Sequence, residues 1–142
     1  MSNIKPTVLV VDDDESMLEV MCIILNGRGL QTSKATQLEE AMDKLSREEF
    51  DAVLTDLYID NDKEAGMKLL RWVRGHKPHI PVVMISAYAT VENAIQAMQE
   101  GAVDYIQKPF KNNEELYLRV KRAIERKKLQ TDNELLWRER AQ

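Results

Sequence analysis

The arrangement of apolar residues along this 142-residue chain constrains its fold more than any other feature. Short apolar runs alternate with longer segments in which apolar residues recur every three or four positions. The runs cover residues 7–11, 52–55 and 81–86, and the pattern also predicts a weaker strand near a sheet edge at residues 30–35 and a short fifth strand at residues 103–107. Continuous apolar runs are typical of parallel strands buried on both faces, and each parallel connection needs a crossover that is usually a helix. The sequence therefore predicts an α/β fold in which a doubly wound, five-stranded parallel sheet is flanked by five helices.

The segments of helical period predict where those helices end. The third helix covers residues 66–74 and is expected to close at Gly75 and Pro78. The clearest apolar stripe marks the fourth helix and consists of Val91, Ala94, Ile95 and Met98. The last helix is expected to begin near Asn112 or Asn113 and to extend almost to the end of the chain.

Charge and composition exclude several classes of protein. Residues 1–110 contain 11 Lys and Arg against 18 Asp and Glu, whereas residues 111–142 contain 9 against 6. An acidic body with a mildly basic tail argues against a nucleic-acid-binding surface, which would be basic. No apolar run approaches the roughly 18 residues needed to cross a bilayer, and the N-terminus lacks a secretory signal. We therefore expect a cytoplasmic protein without membrane contact, in which the single cysteine, Cys22, is a small buried hydrophobe.

Chemically reactive side chains follow four of the five predicted strands. They are Asp12, Asp13 and Asp14 after the first strand, Asp56 after the third, Ser86 at the end of the fourth and Lys108 after the fifth. Ligands of such sheets bind beyond the carboxyl ends of the strands, so these side chains are expected to meet. Clustered carboxylates repel one another unless a cation compensates, and oxygen ligands without thiolate or histidine suit Mg²⁺.

This combination of residue types predicts phosphoryl transfer. An aspartate can act as a nucleophile and form an aspartyl phosphate. A lysine and a hydroxyl at the same edge could contact the phosphoryl group as a point charge and a hydrogen-bond donor. Catalysis would then come mainly from positioning and charge neutralisation. Asp14 and Glu15 are interpreted differently, because acids at the start of a helix often cap it and favour its dipole.

Four motifs, in this order, resemble the receiver domain of bacterial two-component response regulators. They are Val8-Leu9-Val10-Val11-Asp12-Asp13-Asp14, Leu54-Thr55-Asp56, Ile85-Ser86-Ala87 and Asp104-Tyr105-Ile106-Gln107-Lys108-Pro109-Phe110. The likeness covers residues 6–125. Residues 86–92 and 101–105 also resemble receivers attached to enhancer-binding AAA+ transcription activators. The resemblance implies a flavodoxin-like strand order of 2-1-3-4-5.

The resemblance also implies how the acidic site works. Asp56 would accept a phosphoryl group from the phosphohistidine of a sensor histidine kinase. Asp13 and Asp56 would bind Mg²⁺ directly, and Asp12 would bind it through water. The backbone carbonyl of Tyr58 would be a further ligand of the ion.

Three further residues are implied to act on the transferred phosphoryl group. Lys108 would pair with its oxygens, and the family's peptide bond before Pro109 is typically cis, which would aim that lysine. Ser86 would bond a phosphoryl oxygen after transfer, and Tyr105 would then turn inward. The fourth helix, fifth strand and fifth helix would form the face that partners read.

The chain is expected to contain a receiver domain over residues 1–125 and a helical linker over residues 126–142. Leu129 and Leu136 are seven positions apart in the linker, and the linker and the partner-reading face together suggest a homodimer. The linker would lead to an output domain that this sequence does not contain. The expected function is a signalling switch that controls transcription; it is no enzyme beyond promoting its own phosphorylation and dephosphorylation.

One loop departs from the family pattern. Family members commonly have a proline four residues and a glycine eight residues after the acceptor, whereas here Asp60 and Gly66 lie four and ten residues after Asp56. Residues 60–64 therefore form a longer, more acidic loop that is expected to be less rigid and to affect the position of the Tyr58 carbonyl. The loop lacks the Gly and Glu of an EF-hand, so a Ca²⁺ loop is excluded.

Two alternative functions remain open from the sequence. Asp12, Asp14 and Ser16 superficially fit the nucleophile motif of haloacid-dehalogenase-like phosphatases, although the late Gly-Asp-x-x-x-Asp type pair is absent and the chain is short. The altered loop would also fit a degenerate receiver that acts only as a docking module. Trapping the phosphorylated residue distinguishes the phosphatase from the receiver, because a phosphatase would carry phosphate on Asp12 and a receiver would carry it on Asp56.

Overall fold

The structure is a computed structural model that describes residues 4–140, with side chains described for residues 4–129. Its strands are β1 (Thr7–Val11), β2 (Gln31–Ala35), β3 (Ala52–Asp56), β4 (Val82–Ser86) and β5 (Asp104–Gln107). Its helices are α1 (Glu15–Asn26), α2 (Leu38–Arg47), α3 (Ala65–His76), α4 (Val91–Gln99) and α5 (Asn113–Arg140). The strands form one parallel sheet in the order β2-β1-β3-β4-β5. The predicted fold class and strand order are therefore confirmed.

The core consists of two apolar layers, one on each face of the sheet. Because successive side chains of a strand point to opposite faces, β1 contributes to both layers. Val8 and Val10 pack in the layer that also holds buried residues of α1 and α5. Leu9 and Val11 pack in the opposite layer, with residues of α2, α3 and α4. The central strands are buried on both faces, as their continuous apolar sequences predict.

The end of α3 differs from the prediction. The helix continues through Gly75 to His76, so the expectation that Gly75 closes it is wrong. Lys77 ends the helix, and its N–H donates to the Val73 carbonyl at 2.7 Å. The physical reason is Pro78, since a residue that precedes proline is disfavoured in the α conformation, whereas glycine in a helix is merely unfavourable.

The apolar stripe of α4 predicts the helix correctly but does not face the core. Val91, Ile95 and Met98 are 74%, 50% and 46% exposed, and the buried residue of this helix is Ala97. Periodicity shows that one side of a helix is apolar, but it does not show what covers that side. The α4 stripe is thus a solvent-facing apolar surface next to β5.

The C-terminal helix α5 starts at Asn113, as predicted, and continues to Arg140. Leu116 and Val120 are buried against the sheet, whereas Leu129 is 64% exposed. The side chain of Leu136 lies outside the described residues, so the predicted pairing of Leu129 with Leu136 is not described. Among the helices of residues 4–140, we find none with the length and apolar character needed to span a membrane.

Candidate functional site

The side chains predicted to meet at the carboxyl ends of the strands do so. Asp56 is the last residue of β3 instead of following that strand, and Ser86 ends β4 as predicted. Carboxylate oxygens of Asp12, Asp13 and Asp56 all lie within 4.8 Å of one another. With Lys108 they line a cavity of about 590 Å³. The parallel sheet places these ends side by side, because every strand runs in the same direction.

Lys108 links two of the three carboxylates. Its Nζ donates to Asp12 Oδ2 and to Asp56 Oδ2, each at 2.8 Å. The Lys108 side chain is 11% exposed and that of Asp12 is 1% exposed. Burial raises the pKa of Asp12 and outweighs the hydrogen bond from Lys108. Burial alone would lower the pKa of Lys108, but the hydrogen bonds to Asp12 and Asp56 and the negative charges of these two residues together outweigh burial and raise that pKa.

At the start of α1, the side chains of Asp12 and Asp14 have different hydrogen-bond partners. Asp12 Oδ1 accepts a hydrogen bond from the Asp14 N–H at 2.9 Å, which leaves its other oxygen to Lys108. Asp14 caps α1, since its Oδ1 accepts from the N–H groups of Ser16 and Met17 at 3.0 and 3.2 Å. The predicted capping role of Asp14 is confirmed, and it separates Asp14 from the cluster of three carboxylates.

The longer loop after β3 has a defined geometry. Asp60 and Asn61 have φ angles of 55° and 63°, a left-handed conformation that Asp and Asn tolerate better than most residues. Two backbone hydrogen bonds between Ile59 and Asp62, at 3.0 and 3.3 Å, close the turn around them. The Asp60 N–H then donates to Asp13 Oδ2 at 2.8 Å. The extra residues therefore hold one of the three carboxylates in place.

Gly66 lies at a close approach between the backbone at the end of β3 and the start of α3. A Cβ on Gly66 would lie 2.5 Å from the Asp56 carbonyl oxygen and 2.7 Å from the Leu57 Cα. Its N–H donates to the Leu57 carbonyl at 2.9 Å. The sequence shows this glycine, but it cannot show the contact that requires it, because the contact joins a strand end to a helix start.

Ser86 and Tyr105 lie at the same edge as the acids. Ser86 is fully buried, and its Oγ accepts from the Tyr88 N–H at 3.0 Å. The Tyr105 hydroxyl donates to Asn93 Oδ1 at 2.9 Å, and burial raises the pKa of Tyr105. The sequence did not single out Asn93, which also completes a capping box with Thr90 at the start of α4. The Thr90-to-Asn93 spacing was a usable signal for the cap, although nothing in it indicated the contact with Tyr105.

Two aromatic residues complete the rim of the cavity. Tyr58 and Tyr88 line it together with the acids, and their rings stack with centroids 5.2 Å apart. The Tyr58 N–H donates to Asp56 Oδ1 at 3.2 Å. The sequence indicated only the carbonyl of Tyr58 and gave no signal for Tyr88, since their contact joins two loops that are distant in the chain.

The donor set of the cavity fits a hard divalent cation. Three carboxylates face one lysine, so the cluster keeps a surplus of negative charge that a cation would offset. All candidate ligands are oxygens, which is the preference of Mg²⁺. The peptide bond between Lys108 and Pro109 is cis, as the resemblance implied. These residues could therefore hold both a metal ion and a phosphoryl group.

Comparison with known proteins agrees with this geometry. The family model of the response regulator receiver domain matches residues 8–121. A putative NtrX-like response regulator from Rickettsia bellii is 35% identical over 126 residues, which are 89% of this chain and 26% of that protein. The chain thus spans about a quarter of the length of that curated relative.

Solved structures show the same relationship. The crystal structure of NtrX from Brucella abortus matches with a TM-score of 0.86 at 32% identity, covering 94% of this chain and 30% of that one. The CheY-like receiver domain protein from Methanospirillum hungatei matches with a TM-score of 0.82 at 28% identity, covering 89% of this chain and 99% of that one.

These findings exclude one of the functions that the sequence left open. The predicted resemblance to receivers of enhancer-binding AAA+ activators is confirmed, because the relatives include NtrX-type regulators. The alternative interpretation as a haloacid-dehalogenase-like phosphatase is wrong, because the matched family is a different one and covers most of the chain. Receiver domains are signalling domains of two-component systems. The chain belongs to the response regulator receiver domain family.

Proposed function

We propose that this chain is a phosphorylation switch whose acceptor is Asp56. The observation that carries the proposal is the cluster of three carboxylates within 4.8 Å, of which Asp12 and Asp56 share the Lys108 ammonium. Clustered like charges are costly, and a cation would offset that cost. Of the two carboxylates that Lys108 binds, Asp56 is the more accessible, since 12% of its side chain is exposed against 1% for Asp12, and it is therefore better suited to be the nucleophile.

Each residue of the site has a part in this proposal. Asp13 and Asp56, with the Tyr58 carbonyl, would ligate Mg²⁺ directly, and Asp12 would act through water. When bound, Mg²⁺ would supply positive charge to the phosphoryl oxygens. Lys108 already lies 2.8 Å from Asp56 Oδ2, so it would neutralise a phosphoryl oxygen after little movement.

Ser86 and Tyr105 would convert phosphorylation into a change of shape. The Ser86 hydroxyl accepts from the Tyr88 N–H and can donate its own proton to a phosphoryl oxygen. Tyr105 is tied to Asn93 at the start of α4, so a movement of either residue reaches that helix. Phosphorylation would favour one arrangement to the extent that it makes better contacts there.

The relatives support a wider role in signalling, which is part of the proposal. The phosphoryl donor would be a sensor histidine kinase, and the output would be transcription control by an AAA+ regulator joined through residues 126–142. A homodimer would form through α4, β5 and α5 together with this linker, and the compartment would be the cytoplasm. The exposed α4 stripe supports a partner surface at this position.

Phosphate uptake by the acceptor variant tests the proposal. The full chain is incubated with Mg²⁺ and acetyl phosphate or a cognate kinase, and the phosphorylated fraction is measured on a phosphate-affinity gel. Asp56→Asn should lose uptake, because an amide cannot form the acyl phosphate. Asp51→Asn is the matched control, since Asp51 bonds the Thr7 N–H at the other end of the sheet. Uptake by Asp56→Asn at the parent rate would contradict the proposal, and a parent chain without uptake would favour the docking module.

A further inference from the structure

A second lysine, Lys63, lines the same cavity as Asp56 and Lys108. It belongs to the longer loop over residues 60–64 and lies just before α3. Among the described residues, four aspartates and these two lysines are the charged residues that line the cavity. The longer loop therefore adds a positive charge to a cavity in which carboxylates outnumber lysines.

The two lysines of the cavity have different surroundings. Lys108 is largely buried, and its Nζ donates to Asp12 and Asp56. Lys63 is exposed, and among the side chains of residues 4–129 its ammonium has no hydrogen-bond or ion-pair partner. A lysine of this kind is a point charge with three donors on a flexible stem. The charge of Lys63 is therefore available to an anion that enters the cavity.

Hydrogen bonds fix the backbone on both sides of Lys63. Asp62 Oδ1 accepts from the Glu64 N–H at 2.8 Å, and the Asp62 carbonyl accepts from the Ala65 N–H at 3.3 Å. Asp62 Oδ2 accepts from Lys68 Nζ at 3.1 Å, so this neighbouring acid is paired with another lysine. The loop thus places Lys63 beside the cavity and leaves its charge to other anions.

We infer that Lys63 selects phosphoryl donors with an anionic leaving group, such as acyl phosphates, over donors with a neutral leaving group. The inference rests on the proposed function. During uptake from an acyl phosphate, an Asp56 oxygen bonds to phosphorus, the bond from phosphorus to the acyl oxygen breaks, and the donor's carboxylate leaves with the electron pair. The leaving group lies in line with the attacking oxygen and on the far side of phosphorus, so it points away from Asp56. The exposed ammonium of Lys63 stabilises the negative charge that develops there.

A neutral leaving group gains less from this lysine. Phosphoramidate transfers the same phosphoryl group, but its nitrogen, protonated before transfer, leaves as ammonia and carries no negative charge. The phosphohistidine of a kinase also releases a neutral group, an imidazole that carries a proton on its other nitrogen. Lys63 therefore favours small acyl phosphates and has a smaller effect on transfer from a kinase.

Initial rates of uptake from two donors test the inference on the full chain. Acetyl phosphate and phosphoramidate are compared in Mg²⁺, and the phosphorylated fraction is followed on a phosphate-affinity gel. Lys63→Gln should lower the rate with acetyl phosphate by about fourfold, an effect that one exposed ion pair can give, and the rate with phosphoramidate by less than about 1.5-fold. Lys63→Arg keeps the charge and should restore most of the rate with acetyl phosphate.

Lys111→Gln is the matched control. It removes one positive charge from an exposed residue that follows β5 at the same edge of the sheet, outside the residues that line the cavity. This variant should keep the parent rates with both donors. A loss as large as that of Lys63→Gln would overturn the inference, because it would show an effect of net charge alone.

The two donors distinguish the remaining outcomes. Equal losses with both donors in Lys63→Gln would overturn the role at the leaving group, because damage to the loop or to Asp13 affects both donors alike. Parent rates with acetyl phosphate in Lys63→Gln would overturn the inference and leave the proposed function intact. Absence of uptake by the parent chain from either donor would overturn both the proposed function and this inference.

Discussion

Acidic side chains lie at both ends of the parallel sheet, and the two sets have different partners. At the amino ends, Glu49 accepts from Lys77 Nζ and His79 Nε2, each at 2.8 Å, and Asp51 accepts from the Thr7 N–H. At the carboxyl ends, Asp12, Asp13 and Asp56 lie within 4.8 Å of one another, and Lys108 donates to two of them, Asp12 and Asp56. The acids at the amino ends thus each have nearby hydrogen-bond donors, whereas the acids at the carboxyl ends keep a surplus of negative charge.

The difference separates a structural from a functional use of the same residue types. A paired surface acid stabilises the fold slightly and needs no ligand. A buried cluster of like charges lowers stability, and a protein keeps such a cluster only where another property depends on it. Here the cluster lies at the edge where ligands of doubly wound sheets bind. Variants at one end of the sheet, with controls at the other end or at a distant residue, test this difference.

The largest effect is expected from the backbone contact that builds the carboxyl end. Gly66→Ala should lower the free energy of unfolding by about 3 kcal/mol, because a Cβ would clash with main-chain atoms that cannot rotate away. Gly75→Ala is the matched control within the same helix. A Cβ on Gly75 meets nothing within 4 Å, so that variant should be stabilised by about 0.5–1 kcal/mol. Denaturant unfolding of both variants measures the difference, and equal stabilities would show that the close approach is relaxed in solution.

A smaller effect is expected from the cation. Mg²⁺ at about 100 times its dissociation constant should raise the free energy of unfolding by about 2.7 kcal/mol, because it binds the folded chain alone. Asp13→Asn should remove most of this gain, since it deletes one charge and keeps an acceptor for the Asp60 N–H. Asp51→Asn, at the amino ends, should keep the full gain. Thermal unfolding with and without Mg²⁺ provides the measurement, and an undiminished gain in Asp13→Asn would remove Asp13 from the ligand set.

The smallest effect is a pH dependence of opposite sign at the two ends, measured without Mg²⁺. The hydrogen bonds from Lys77 and His79 lower the pKa of Glu49, so its stabilisation is present above the unfolded-state pKa and is lost as the pH falls through the folded-state value. Glu49 is largely exposed, so this contribution is about 0.5 kcal/mol. Burial raises the pKa of Asp12, so the folded chain binds the extra proton and gains stability as the pH falls through that raised value.

Two variants measure these opposite slopes. Glu49→Gln should flatten the loss of stability in acid, and Asp12→Asn should remove the gain. The free energy of unfolding is measured for both variants and the parent over the acid range. Profiles that run parallel in all three chains would show that neither group changes its proton affinity on folding.

Some of the site was predictable because it depends on strand direction alone. Asp56, Ser86 and Lys108 come at the ends of buried apolar runs, and parallel strands bring such ends together. Asp14 was predictable as a cap, because a helix start has unpaired N–H groups that a short acid can bind. The exposure of the α4 stripe was not predictable, since the hydrophobic period of a helix does not show which of its sides another element of the fold covers.

Other parts of the site depend on contacts between loops that are distant in the chain. The stacking of Tyr58 on Tyr88 joins two such loops, and the bond from Tyr105 to Asn93 joins β5 to α4, so no local pattern predicts either contact. From the sequence, the turn at Asp60 could be recognised only as part of a loop longer than the family pattern. Its hydrogen bond to Asp13 depends on how the loops after β1 and β3 lie in the fold. The requirement for glycine at position 66 was likewise not predictable, because it depends on the distance between the backbones of β3 and α3.

The sequence by itself determined the sheet, its layers and the three carboxylates at its carboxyl edge. The hydrophobic period of each segment is a local property that predicts its strand or helix, and parallel strands bring their carboxyl ends to the same edge. The tertiary structure alone decided which carboxylates Lys108 binds, which rings line the cavity beside Asp56 and how the longer loop binds Asp13. Those properties depend on distances of a few ångströms between separate loops. Such distances are set by packing of the whole chain and not by any segment of it.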